Sequence, residues 1–116
     1  MNQFLMLFRK EKSATPPPPM SPEQMQAMIK PWQDWLGGIA AQDKLVSSEA
    51  LMPNGKTIHP DNMVTDGPYM EVKEIVNGYA LVKAADHDEA MKMAEGCPIL
   101  KDNGFVEVRP IMDFGV

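Results

Sequence analysis

With 116 residues, an apolar share of 44% and a charged share of 23%, the chain has material for one hydrophobic core and is expected to form a single domain over residues 1–116. Its net charge of −5, from 11 basic and 16 acidic residues, argues against a nucleic-acid surface, which needs clustered lysine and arginine. One cysteine, Cys97, leaves no internal disulfide, and the apolar run Phe4–Phe8 is too short for a signal core or a membrane span, so a cytoplasmic protein with no membrane partner is expected.

Gln3–Phe8 reads as a strand that is apolar on both faces, with Phe4, Met6 and Phe8 on one and Leu5 and Leu7 on the other. Residues 9–20 are expected to break structure. Arg9, Lys10 and Lys12 suit a solvated loop, and Pro16–Pro19 sits in a stiff Pro-rich loop over residues 14–20. Ser21-Pro22-Glu23-Gln24 is a helix start, with Ser21 as cap, Pro22 in the first helical position and Gln24 completing a capping box. Met25, Met28, Ile29, Trp32, Leu36, Ile39 and Ala40 follow at helical spacing. Pro31 predicts a kink, and Gly37-Gly38 a looser end before Gln42. Trp32 belongs to the apolar stripe. Trp35 is offset from it, which suits core or interface packing, or the lining of a ligand cavity.

Lys44–Met52 reads as a second strand. Asn54-Gly55 predicts a tight hairpin turn returning through Lys56–His59, with Met63-Val64-Thr65 as a short third arm. His59, beside Pro60, suits a solvated position. Ile75–Ala84 is the clearest strand, with Tyr79 and Leu81 facing one way, Ala80 and Val82 the other, and Gly78 marking a bulge or close backbone approach. Asp86 caps a second helix whose inner face is Ala90, Met93, Ala94 and Cys97, ended by Gly96 and Pro98. His87 is expected on its surface, and Cys97 as a small buried residue without a catalytic partner. Asp102-Asn103-Gly104 turns the chain into a last strand, Phe105–Met112.

This order predicts an α+β, ferredoxin-like split βαβ domain: a four-stranded antiparallel sheet, an extra β-hairpin and two helices on one face. The opposite face carries Leu5, Leu7, Phe105 and Ile111, which predicts a homodimer whose sheets pack face to face into a dimeric α/β barrel.

Residues 65–74 hold the chemistry-bearing stretch. A turn at Asp66-Gly67, stiffened by Pro68, is followed by Tyr69, Glu71, Lys73 and Glu74, in a connection long enough to suggest function. Asp66 reads either as an Asx-type turn carboxylate or as a general acid or base aimed at a cleft. Trp35, Tyr69, Glu71, Lys73 and Arg109 are the candidate ligand-binding residues around it. Their other reading is a surface ion network, with Glu107 beside Arg109. No phosphate loop, metal-ligand cluster or serine-nucleophile motif is present, so neither metal nor cofactor is expected. A small-molecule ligand and a second copy of the chain are the expected partners. Three function classes remain: an enzyme using Asp66, a ligand- or partner-binding module, and a dimer without a pocket.

Asp66-Gly67-Pro68-Tyr69 resembles the signature turn of the DGPF group of YCII-related proteins, with Tyr in place of the usual Phe. Gly78-Tyr79, Ala94-Glu95-Gly96-Cys97-Pro98 and Val106-Glu107-Val108-Arg109-Pro110 resemble the same group, over Gln3 to Met112. The resemblance implies a ferredoxin-like fold and a dimeric barrel. It also implies a His–Asp catalytic pair proposed for the broader family, and a link of some relatives to sigma factors. This chain departs from the pattern: the helix over Ser21–Gln42 has no histidine, and His59 and His87 stand elsewhere, so that pair does not carry over.

Overall fold

The computed structural model describes residues 1–11, 18–66 and 74–113. The central strand β1 (Asn2–Glu11) and the long strand β5 (Glu74–Ala84) lie side by side, flanked by β2 (Leu45–Ala50) and β6 (Gly104–Pro110) in the antiparallel order β2-β5-β1-β6. Helix α1 (Pro22–Ala41) and helix α2 (His87–Ala94) complete the ferredoxin-like α+β arrangement. A second, two-stranded sheet pairs β3 (Lys56–Ile58) with β4 (Val64–Asp66).

Alternation along the strands decides which side the helices cover. Phe4, Met6 and Phe8 of β1, Ala80, Val82 and Ala84 of β5 and Val108 of β6 are buried, and Ile39, Ala90, Ala94, Cys97 and Ile99 close over them. Met6 and Val82 are wholly shielded from water. Trp32 and Trp35 meet the Phe8 ring edge-on at 5.0 and 5.7 Å, which anchors α1 on this side. Phe4 stacks on the His87 ring at 5.5 Å, which anchors α2 there too. Neither helix lies on the other face, where Leu5, Leu7, Tyr79 and Leu81 are half-buried.

Local chemistry explains the helix ends. Ser21 Oγ accepts from Gln24 N–H at 3.1 Å while the Gln24 side chain accepts from Ser21 N–H at 2.9 Å, the expected capping box. Asp86 Oδ1 accepts from Glu89 N–H at 2.8 Å, and Glu89 reaches back to Ala85 N–H. A short 3₁₀ turn over Pro98–Lys101 follows α2 and sets Ile99 into the core.

Several expectations are corrected. The first strand does not stop at Phe8: Arg9, Lys10 and Glu11 continue the ladder with β5 and β6, because ion pairs from Arg9 to Glu107 and from Lys10 to Asp102 hold the polar end in place. The Pro31 and Gly37-Gly38 positions lie within one continuous helix α1, Pro22–Ala41, and do not end it. Asn54-Gly55 does not close a hairpin. β2 ends at Ala50 and pairs only with β5, and β3 turns back through His59–Met63 onto β4. Asn62 supplies the positive φ of 67° there, and Asp61 Oδ1 accepts from Met63 N–H at 2.9 Å, so an Asx turn does the work expected of Asn-Gly. A register shift between Leu45 and Ser47 sets Leu45 opposite core Val82 but Ser47 opposite Leu81, with Val46 exposed between them, so alternation along β2 breaks there. Met112 lies beyond β6 and is exposed. Most of the Pro-rich loop falls outside the described residues.

Candidate functional site

One end of the sheet collects several chain crossings. There β1 finishes at Glu11, β2 finishes at Ala50, and β5 begins at Glu74. Since β2 and β5 pair here, the chain leaves the sheet through Leu51–Gly55, forms the β3–β4 hairpin, and returns at Glu74. A cavity of about 250 Å³ opens at this foot of the hairpin, walled by Arg9, Met52, Pro53 and Glu74 to Asn77.

A β-bulge shapes the cavity. Phe8 pairs with Gly78 but Arg9 pairs with Val76, so Asn77 is an extra residue on β5. A bulge at this point re-aims the side chains on either side of it. Gly78 permits it, because β2 crosses close by: a β-carbon at Gly78 would lie 2.8 Å from the Glu49 carbonyl oxygen. Leu51 N–H donates to the Asn77 carbonyl at 2.8 Å and pins the departing chain to the cavity wall.

Arg9 is the cation among the described lining residues. Its Nη1 donates to Glu107 Oε1 at 2.8 Å, and its guanidinium carbon lies 5.9 Å from the centre of the Phe105 ring. Its Nε is shielded from solvent and has no hydrogen-bond partner among the described residues.

Those of the expected residues that are described, Trp35, Asp66 and Arg109, are dispersed. Asp66 is exposed at the end of β4, opposite Lys56. Tyr69, Glu71 and Lys73 lie outside the described residues. Trp35 sits in the helical layer, where its Nε1–H donates to the Met93 carbonyl at 2.9 Å. Arg109 stands on the opposite face of the sheet, largely exposed, with its Nε 4.0 Å from Glu107. Trp35 and Arg109 therefore lie on opposite sides of the sheet.

Sequence reasoning missed Arg9, read as a loop residue, and Asn77. The signal was available in part, since Gly78 already marked a bulge and the alternation of β1 places residue 9 on the Leu5–Leu7 side. It also placed His87 among surface residues. That residue is exposed, yet its ring stacks on Phe4, and its Nε2 lies 3.1 Å from the Val108 carbonyl, which can only accept, so Nε2 carries the proton. His59 on the hairpin has Nε2 3.3 Å from Thr65 Oγ1.

Two groups elsewhere are perturbed. The Lys44 ammonium, 2.8 Å from Glu89, and the Ala85 amide hold the Glu89 carboxyl below its ordinary value. Burial pushes the Cys97 thiol up to about 11, which leaves it protonated and inert near neutrality; it lies past the end of α2, just before the 3₁₀ turn, and not on the helix face expected from sequence. Among the described residues no group of His, Cys, Asp and Glu could hold a metal ion, and no helix is long and apolar enough to cross a membrane.

The fold is thus an α+β sheet-and-helix layer with a cavity at one sheet end. The family model of the YCII-related domain matches residues 3–115, nearly the whole chain, and the protein belongs to that family. Comparison with curated proteins finds no match.

Proposed function

We propose that this protein binds a small molecule as a homodimer, with the ligand site at the foot of the β3–β4 hairpin. The observation that carries the reading is the cavity between Arg9 and the bulged start of β5, at the place where the polar run beginning at Asp66 rejoins the sheet at Glu74. Bulges and long inserted connections gather at functional sites, and both meet here. Asp66 is the acid or base of this proposal, with Tyr69, Glu71 and Lys73 on the run between it and the cavity.

Dimer formation is supported by the uncovered face of the sheet. Leu7 and Tyr79 lie side by side there, as do Leu5 and Leu81, and charged Glu49, Glu107 and Arg109 flank them. Two copies related by a two-fold axis would bury these rows against each other.

A second reading, recognition without turnover in a regulatory module, is favoured by the placement of the histidines. His87 is committed to the Val108 carbonyl, and His59 lies on the hairpin.

Sedimentation velocity at micromolar concentration is expected to give a dimer, and Leu81→Lys a monomer; a monomeric parent protein would remove the barrel. A fragment screen read by backbone amide shifts is expected to perturb Arg9 and Val76–Asn77. Asp66→Asn, assayed with compounds that bind, separates the two readings. Unchanged turnover removes Asp66 from catalysis, and the absence of turnover in the parent protein leaves recognition.

A further inference from the structure

The chain holds three Asn-Gly pairs: Asn54-Gly55, Asn77-Gly78 and Asn103-Gly104. At two of them the fold itself calls for glycine. A β-carbon on Gly78 would press on the Glu49 carbonyl oxygen at 2.8 Å. One on Gly104 would collide with the Ile99 side chain and lie 2.9 Å from the Arg9 carbonyl oxygen. Both residues also stand in the sheet ladder, Gly78 between Phe8 and Ala50, and Gly104 opposite Lys10. Asn103 is held at a φ of 60° in the turn before β6.

At Asn54-Gly55 the fold makes no such demand. The pair closes no hairpin, and neither residue takes the positive φ that a type I′ turn requires. A β-carbon on Gly55 would meet nothing within 4 Å. Both residues are exposed and lie outside every described strand and helix. The Gly55 N–H has no hydrogen-bond acceptor among the described residues. What remains is the pair's chemistry. Asparagine is thermolabile because the next backbone nitrogen can attack its side-chain carbonyl carbon, and glycine has no β-carbon to obstruct the approach. A ladder residue must first open locally to reach that geometry, whereas an exposed connection is already free to do so.

We propose that Asn54 is a site of selective, spontaneous deamidation in the folded protein. The Gly55 nitrogen gives up its proton to base and bonds to Cγ of Asn54. The side-chain nitrogen leaves with a proton as ammonia, and a cyclic succinimide remains. Water then adds to one of the two ring carbonyls and breaks its bond to nitrogen. Opening one way gives aspartate on the original main chain. Opening the other way gives isoaspartate, whose main chain runs through the former side chain and is longer by a carbon atom. Water is consumed, ammonia is released, and nothing is oxidised or reduced. Either product adds a negative charge between Pro53, on the cavity wall, and Lys56, the first residue of β3. Isoaspartate also lengthens the connection that carries the hairpin.

The test incubates the full chain in warm, mildly alkaline buffer, digests samples in mild acid and follows each asparagine by peptide mass spectrometry. Asn54 is expected to convert at least about tenfold faster than Asn77 and Asn103, giving isoaspartate as well as aspartate. In urea, where no ladder protects the other two, the rates should draw together. Gly55→Ala has room for its methyl group and no left-handed backbone to strain, so its thermal unfolding should match the parent's while conversion of Asn54 slows by about tenfold or more. Asn54 converting no faster than Asn77 and Asn103 overturns the assignment, as does Asn54 converting equally fast in Gly55→Ala. A gap that persists unchanged in urea belongs to the local sequence and overturns the role given to the fold. Should Gly55→Ala fail to fold, the comparison of the three sites in the parent protein, with and without urea, decides.

Discussion

Trp35 lies over Gly96. A β-carbon placed on Gly96 would sit 3.0 Å from Cδ1 and 3.2 Å from Nε1 of the indole, which at the same time donates to the Met93 carbonyl at 2.9 Å. The C-terminal end of α2 is thereby locked to the middle of α1. Gly96→Ala forces the indole outward and strains the Met93 bond, and should cost about 1–3 kcal/mol in urea unfolding. Trp35→Phe keeps most of the packing but removes the donor, and should cost about 1 kcal/mol from the bond alone. The same measurement on the double variant should show less than the sum, because the two residues share one contact.

Gly78 is constrained by backbone rather than by a movable side chain. An added β-carbon would meet the Glu49 carbonyl at 2.8 Å and the Ala50 α-carbon at 3.3 Å. Strands β2 and β5 would have to part. Gly78→Ala is expected to destabilise by about 2 kcal/mol or more. Amide signals of Asn77 and Leu51 should move with it, since the bulge and the Leu51–Asn77 bond depend on that close approach.

The Lys44–Glu89 pair ties the start of α2 to the turn that follows α1. The folded Glu89 carboxyl is held below its unfolded value of 4.5, so its contribution is present above that pH and is lost as pH falls through the folded value. Lys44→Met removes the first cause of the shift. Thermal unfolding should then show a smaller difference between parent and variant at about pH 3 than at pH 7. An equal difference at both pH values would mean that the Lys44 stem, and not its charge, carries the effect.

Cys97 gives the opposite sign at alkaline pH. Its folded value of about 11 exceeds the ordinary 9.0, so the stability it lends is complete below about pH 9 and is lost as pH rises towards 11. Cys97→Ala should flatten that part of the stability curve while lowering stability near neutrality through the lost packing. In the parent protein the thiol should react with a disulfide reagent at pH 8 only as fast as the chain opens.

Strand and helix periodicities reveal one layer of this protein directly. The alternation Phe4-Met6-Phe8 and Ala80-Val82 names the covered face of the sheet, and the capping residues Ser21 and Asp86 name the starts of both helices, because each rests on contacts within a few residues. The motif Asp66-Gly67-Pro68-Tyr69 likewise points to the family from sequence. Pairing partners are another matter. Asn54-Gly55 has the chemistry of a hairpin turn, yet β3 bonds to β4, because the Asp61–Asn62 turn closes the nearer loop.

The site follows the same division. Residue types around Asp66 were visible in the chain, but the cation among the described lining residues is Arg9, more than fifty positions earlier, brought there by its pairing beside Val76. Local propensity and periodicity act over a few residues and can be read in order along the chain. Which distant strand ends meet, and which side chains line the cavity between them, is decided only when the ladder closes and the bulge sets its register.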